Sequence, residues 1–219
     1  MYDIHLIYSM HIEWGKCTVE ELYKMIEIKN PEVIFEELDC PDFNEAYNEL
    51  KPFSLETETI TEYLRNNKIK HIPVDTYETT EFDKEKKAYI EKIIYENNEE
   101  YRKTLNEQKK LAGQYGFNFL NSIQFYNLSR MIKDQEVLFY QNTDNEKYKN
   151  IYNESEEFHD NREYEMISNI YNYSKEHIFE KALFIIGAYH SYRIDRKIKE
   201  YQEKEPKLNW KIELIDFKY

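Results

Sequence analysis

Glycine and cysteine are both scarce in this chain of 219 residues, which holds four of the first and two of the second. Cys17 and Cys40 lack a C-x-x-C spacing, which excludes a disulfide framework and a cysteine-built zinc site and leads us to expect reduced thiols. No run approaches the ~20 apolar residues that a membrane helix needs. The opening "MYDIHLIYSM" carries an acid where a secretory leader carries positive charge. The expectation is a soluble, cytoplasmic protein with no membrane partner. Positive charge is also short: 30 Lys and Arg face 43 Asp and Glu, for a net charge of −13. That balance repels a phosphate backbone, so no nucleic-acid partner is expected. The 21 tyrosines, with heavy Asn, Lys and Glu usage, reflect a compositional bias that lowers the information in any single Tyr or Asn.

The length suits one domain, 1–219. Ile4 to Tyr8 reads as a short strand. Thr18 and Glu21 then form a capping box opening "TVEELYKMIEIKN", where Leu22, Met25, Ile26 and Ile28 line one helical face and Pro31 ends the helix. "EVIFEELD" follows as a buried strand with acids at its end. The tail repeats the order: "ALFIIGAYH" as strand, "SYRIDRKIKEYQEK" as helix with Ile194, Ile198 and Tyr201 on one face, Pro206 as break, and "WKIELIDF" as strand. "SLETETITEYLRNN" reads as a helix and "IKHIPVD" as a third strand ending at Asp75. The fold class is therefore α/β, a central, mainly parallel sheet built from two strand-helix-strand halves. A long helical section, inserted at about residues 80–155, packs on the sheet or caps it. Its breaks are Gly113 and Gly116, and its most loop-like stretch is "NTDNEKYKNIYNESEEF".

The candidate site follows from this arrangement, because ligands of such sheets bind beyond the carboxyl ends of the strands. His11 and His190 each follow a strand, so both are expected at one edge. Gly187, three residues before His190, allows a positive φ or a close backbone approach. Alternation along "VIFEELD" sends Glu36 and Glu37 to opposite faces, so one at most enters the site from the strand. In "HDNREYEM", Asp160 and Glu163 stand at capping-box spacing, which makes helix initiation sufficient for both. Arg162, a cation in a first helical turn, opposes the helix dipole and must find an anion. Cys17 beside His11 is a further, weaker nucleophile candidate.

"HLIYSMHIEWGKCTVEELYKMIEIKNPEVIFEELD", "HIPVD", "NREYEMISNIY" and "KALFIIGAYH" together resemble, in order, segments of the superfamily that joins TraB/PrgY, TIKI, ChaN and erythromycin-esterase-like proteins. Tyr8 stands where the first segment would carry glycine, and Glu163 stands where Asp or Asn more often follows the arginine. The resemblance implies catalytic roles for His11, Glu37, Arg162 and His190, with Glu36 and Asp75 in second rank. It implies a hydrolase of an ester, lactone or amide acting on a small molecule or peptide. His11, Glu37 and His190 would be the ligands if a divalent ion (Zn, Mn, Co or Fe) takes part. The alternative it leaves open is a non-catalytic module that binds or senses a ligand, metal or haem. An oligomer is compatible with either.

Overall fold

The first strand, β1 (Tyr2–Ser9), is an interior strand of the sheet, and its residues from Leu6 to Ser9 are buried without interruption. In the computed structural model, which describes residues 2–76 and 81–217, β1 is followed by helix α1 (Val19–Lys29) and β2 (Val33–Glu36). The Thr18 hydroxyl accepts from the Glu21 amide, as the capping pattern predicts, and Asn30 closes α1 in the left-handed conformation just before Pro31. After β2 come a short helix α2 (Cys40–Phe43), a π-helical turn (Asn44–Asn48), α3 (Leu55–Asn66) and β3 (Lys70–Pro73). The helices α4 (Glu81–Asn97), α5 (Glu99–Tyr115), α6 (Phe117–Leu120), α7 (Ile123–Asn142) and α8 (Glu146–Glu176) then lead to β4 (Lys181–Gly187), α9 (Ser191–Lys204) and β5 (Leu208–Lys211).

The sheet is wholly parallel in the order β3-β2-β4-β1-β5. Its two strand-helix-strand halves interleave rather than stand side by side. β4 inserts between β1 and β2, and β1 lies between β4 and β5. The chain therefore leaves the central β1/β4 pair in opposite directions along the sheet. Right-handed crossovers then carry α1 and α9 to opposite faces. In keeping with this, α1 packs on α3, while α9 packs on α7 and α8. Opposite departures leave a crevice at the carboxyl ends of β1 and β4, where Ser9 pairs with Gly187 in register.

Three readings of the helical section need correction. The supposed loop 142–158 is mostly helix: α8 begins at Glu146, capped by Asn145, whose side chain accepts from the amides of Lys147 and Tyr148. The expected end of the section near 155 thus falls inside α8, and "HDNREYEM" lies in mid-helix rather than at a start. Gly113 does not break α5, which runs on to Tyr115. Its missing side chain instead admits Trp14, whose Nε1 would lie 2.7 Å from a Gly113 Cβ and donates to the Lys109 carbonyl. The Lys16 amide donates to the Gly113 carbonyl, so α5 braces the loop that follows β1.

At the other end, β5 stops at Lys211 although "WKIELIDF" reads as one strand. Beyond His5, the edge of β1 is taken by Asn121, whose Oδ1 accepts from the Tyr8 amide at 2.9 Å and whose Nδ2 donates to the Tyr8 carbonyl at 3.0 Å. The chain then pairs with Asn121 and Ile123 at Ile215. Asn121→Ala strips partners from two buried main-chain groups and should lower stability by about 2–3 kcal/mol, measured by urea denaturation. Two aliphatic-aromatic cores result. The larger covers the sheet, and a smaller one around Ile94, Tyr101, Ile132 and Tyr140 joins α4, α5 and α7. Among the described residues no helix is long and apolar enough to cross a membrane.

Candidate functional site

Glu37, just past β2, is the hub of the crevice. Its Oε1 accepts from Arg162 Nη2 at 2.7 Å and lies 3.1 Å from His190 Nε2, and its Oε2 accepts from the Gly187 amide at 2.7 Å. Burial alone would favour the neutral acid. The charges of His190, Arg162 and His11 outweigh it and hold Glu37 well below the usual carboxylate range. Arg162 also donates from Nε to Asp75 Oδ2 at 2.5 Å. The guanidinium thus finds two carboxylates, though the reason given for it from sequence fails. It sits in the middle of α8, where no unpaired helix end acts on it.

His190 is buried between two carboxylates, with Nδ1 2.6 Å from Glu163 Oε1. Its burial disfavours the imidazolium, but Glu37 and Glu163 reverse that and raise its pKa. Glu163 is not a helix cap. It is completely buried and meets Lys197 Nζ at 2.7 Å and Arg193 Nε at 2.9 Å. Against the cost of burial, His190, Arg193 and Lys197 push its pKa down to about 2. The sequence reading took Glu163 for a cap and did not single out Lys197, although the helical pattern carried a signal for both. Glu163 stands three and four residues before Met166 and Ile167, and Lys197 stands beside Ile194 and Ile198, so each interrupts an apolar stripe. A third histidine, His159, is buried with its ring centroid 6.1 Å from that of His190. Burial, with the charges of Lys87 and Arg193, pushes its pKa down to about 2 and keeps it neutral.

His11 approaches from the loop after β1. Glu56, in the first turn of α3, accepts from Ser9 Oγ at 2.5 Å, and its Oε1 lies 3.3 Å from His11 Nδ1. The bond to Glu56 comes first among the causes that raise the His11 pKa, to about 9, against some desolvation. The side chain is nonetheless 64% exposed, so water screens the pair. Glu56 is a residue the sequence reading missed, because "SLETETITEY" offers several equivalent acids.

Gly187 explains the question its scarcity raises. Its φ is −56°, open to any residue, so left-handed freedom is not the reason. A Cβ there would lie 3.2 Å from both Glu37 Oε2 and His11 Nε2. The glycine lets the acid and the imidazole close in on the same stretch of backbone. Gly187→Ala should leave the melting temperature within a few degrees while cutting any turnover about 10- to 100-fold, checked by calorimetry and initial rates on one preparation.

His11, Glu37, Arg162, His190 and Asp75 are thus brought together. Glu36 is not. Its carboxylate turns instead to Tyr47, which donates to Oε2, and to His71, whose Nδ1 lies 2.8 Å from Oε1. Burial raises the Glu36 pKa against both partners. Cys17 is buried, its pKa pushed up to about 11, and its thiol points at the Ala112 carbonyl at 3.7 Å, so no activated thiolate stands beside His11.

A divalent ion on His11, Glu37 and His190 does not fit this arrangement. Both His190 nitrogens face carboxylates, and Arg162 occupies Glu37 Oε1. Among the described residues no three His, Cys, Asp or Glu side chains are grouped to hold an ion. A charged cleft of about 480 Å³, lined by Lys133, Glu156, Tyr192 and Arg196 among others, contains none of the four first-rank residues. No family model, curated protein or solved structure matches the chain.

Proposed function

We propose that the chain is a hydrolase of an ester, lactone or amide in which His11 acts as general base on water. The observation that supports this best is that His11 Nε2 and Glu37 Oε2 both close in on Gly187. Glu56 on Nδ1 leaves Nε2 as the nitrogen that faces Gly187. A water held between His11 Nε2 and Glu37 Oε2 gives one hydrogen bond to Glu37 and a proton to His11. The resulting hydroxide adds to the substrate carbonyl. Arg162 and His190 supply the positive field for the oxyanion, and His11 returns its proton to the leaving oxygen or nitrogen as the acyl bond breaks. The ordered resemblance to erythromycin-esterase-like proteins supports the same reaction class.

The test is a panel of aryl esters, lactones and peptides at several pH values. Since His11 must be unprotonated to act, turnover should rise as pH climbs toward about 9. Glu56→Gln removes the interaction that raises this pKa, so the rising limb should move by more than one unit toward lower pH. Hydrolysis with an unchanged limb in Glu56→Gln rules out this general base. Stoichiometric tight binding of a metal or ligand with no hydrolysis replaces the enzyme reading with that of a binding module.

A further inference from the structure

The cleft of about 480 Å³ is divided by charge between the helices that build it. Its acids, Glu156, Glu157 and Asp160, all come from α8, whereas its cations come from the helices packed against α8, Lys133 from α7 and Arg193 and Arg196 from α9. The two sets meet directly. Lys133 Nζ lies 2.5 Å and Arg193 Nη1 3.4 Å from the same oxygen of Glu156. Arg196 Nη2 lies 3.5 Å from Asp160 Oδ1, which also meets Lys197 Nζ at 2.5 Å. Lys133 and Arg193 are each only 8% exposed, a burial that such side chains tolerate when fully paired. Each has a second carboxylate behind it, Glu136 at 3.3 Å from Lys133 Nζ and Glu163 at 2.9 Å from Arg193 Nε. The pairing is still incomplete. Among the described residues, Arg193 Nη2 and the Tyr192 hydroxyl are buried with no hydrogen-bond partner, a condition rare enough to call for an acceptor. On the α8 side, Glu157 is exposed and forms no ion pair among the described residues.

We infer that this cleft binds a small zwitterion, a free α-amino acid, with its carboxylate on Lys133, Tyr192 and Arg193 and its ammonium against Glu157 and Asp160. The division of charge selects the class. An anion alone faces three acids of α8, and a cation alone faces the three cations of α7 and α9. A molecule with both signs is matched on both sides. The spacing selects the α-amino acid, because facing charges of the two sides lie 2.5–3.5 Å apart and its carboxylate and ammonium are separated by a single carbon. Glu156, with 26% of its side chain exposed, already holds two buried cations through one carboxylate oxygen. It turns to solvent as the ligand's carboxylate takes its place, and the second oxygen of that carboxylate satisfies the unpaired donors of Arg193 and Tyr192. The volume lies within the range of about 300–1,000 Å³ for small-molecule sites and leaves room for an amino-acid side chain. The inference is independent of the hydrolase reading.

NMR titration of the isotopically labelled chain reads both affinity and place, and it needs no turnover. L-Alanine should shift amide signals of α8 and α9 around the cleft. It should bind about fivefold or more tightly than propionate, which lacks the ammonium, ethylamine, which lacks the carboxylate, and 4-aminobutyrate, whose charges stand too far apart. Two substitutions then separate the ends of the ligand. Tyr192→Phe keeps the ring, whose centroid lies 5.4 Å from the Arg193 guanidinium carbon, and removes only the hydroxyl. It should weaken alanine and propionate alike by about 3- to 10-fold. Glu157→Gln, at an exposed position, should weaken alanine by about 2- to 5-fold and not weaken propionate. Propionate or ethylamine binding as tightly as alanine overturns the proposal in favour of a site for one sign of charge. Alanine that shifts no signal near the cleft up to its solubility overturns it outright. Alanine binding unchanged in Tyr192→Phe overturns the placement of the carboxylate.

Discussion

Glu163→Gln should lower the unfolding free energy by about 3–5 kcal/mol, the usual cost of breaking a buried ion network from one side. The amide keeps the shape of the side chain and removes its charge. Three cations, His190, Arg193 and Lys197, are then left at a completely buried position with the counter-ion gone. Against a total stability of about 5–15 kcal/mol for a domain, this is a large loss. Guanidinium denaturation followed by circular dichroism measures it, with Glu157→Gln on the exposed side of α8 as a control expected within about 0.5 kcal/mol. A change below 1 kcal/mol would show that water reaches the network and that its partners rearrange freely.

The same group sets a pH dependence whose sign is fixed. Its folded pKa, about 2, lies below the ordinary value of 4.5. The stabilisation is therefore complete above about pH 4.5 and is lost as pH falls toward 2, by an amount on the order of 3 kcal/mol. Glu163→Gln should flatten that part of the stability profile. His190 works in the opposite direction. Its raised pKa contributes stability that is present below about 6.5 and disappears as pH rises through the folded value. The two are partners, so their contributions overlap and are not summed.

His11→Ala should reduce hydrolysis about 10²- to 10⁴-fold, the range for loss of a general base, with the melting temperature within a few degrees of the natural chain. The imidazole is largely exposed, so its removal creates no buried cavity. Initial rates across the pH range, with the melting curve of the same sample, decide it. His190→Ala is a poorer probe of catalysis than the sequence suggests. Its ring separates Glu37 from Glu163, and deleting it confronts two carboxylates in a dry interior, so lost activity there would not be distinguishable from lost structure. A His11→Ala protein as active as the natural chain on every substrate would eliminate His11 as base.

Periodicity made α1, α3, α9 and the five strands legible because each carries its own apolar pattern and its own stop. Thr18 and Pro31 bracket one helix, and Pro206 ends another. It also placed His11, Glu37 and His190 at strand ends, which in a parallel sheet means one edge. Patterning misled where a local explanation was complete. Asp160 and Glu163 satisfied the rule for a helix start, so the interruption that Glu163 makes in the stripe of Met166, Ile167 and Ile170 carried no weight. Asn121 illustrates the opposite limit. Its role depends on lying beside Tyr8, 113 positions away, and nothing around residue 121 announces a backbone edge in need of partners.

By itself the sequence determined the strand-helix-strand units at the two ends of the chain, their mainly parallel pairing and the chemical types available at the sheet's edge, because helix and strand periods and caps are encoded within a few turns of chain. Only the tertiary structure decided the interleaving of β1 and β4 between the two halves, the pairing of Arg162 with Glu37 and Asp75, and the approach of Glu37 to the Gly187 backbone. Those depend on distances between residues more than 85 positions apart, and contacts of that range are set by how whole elements pack together.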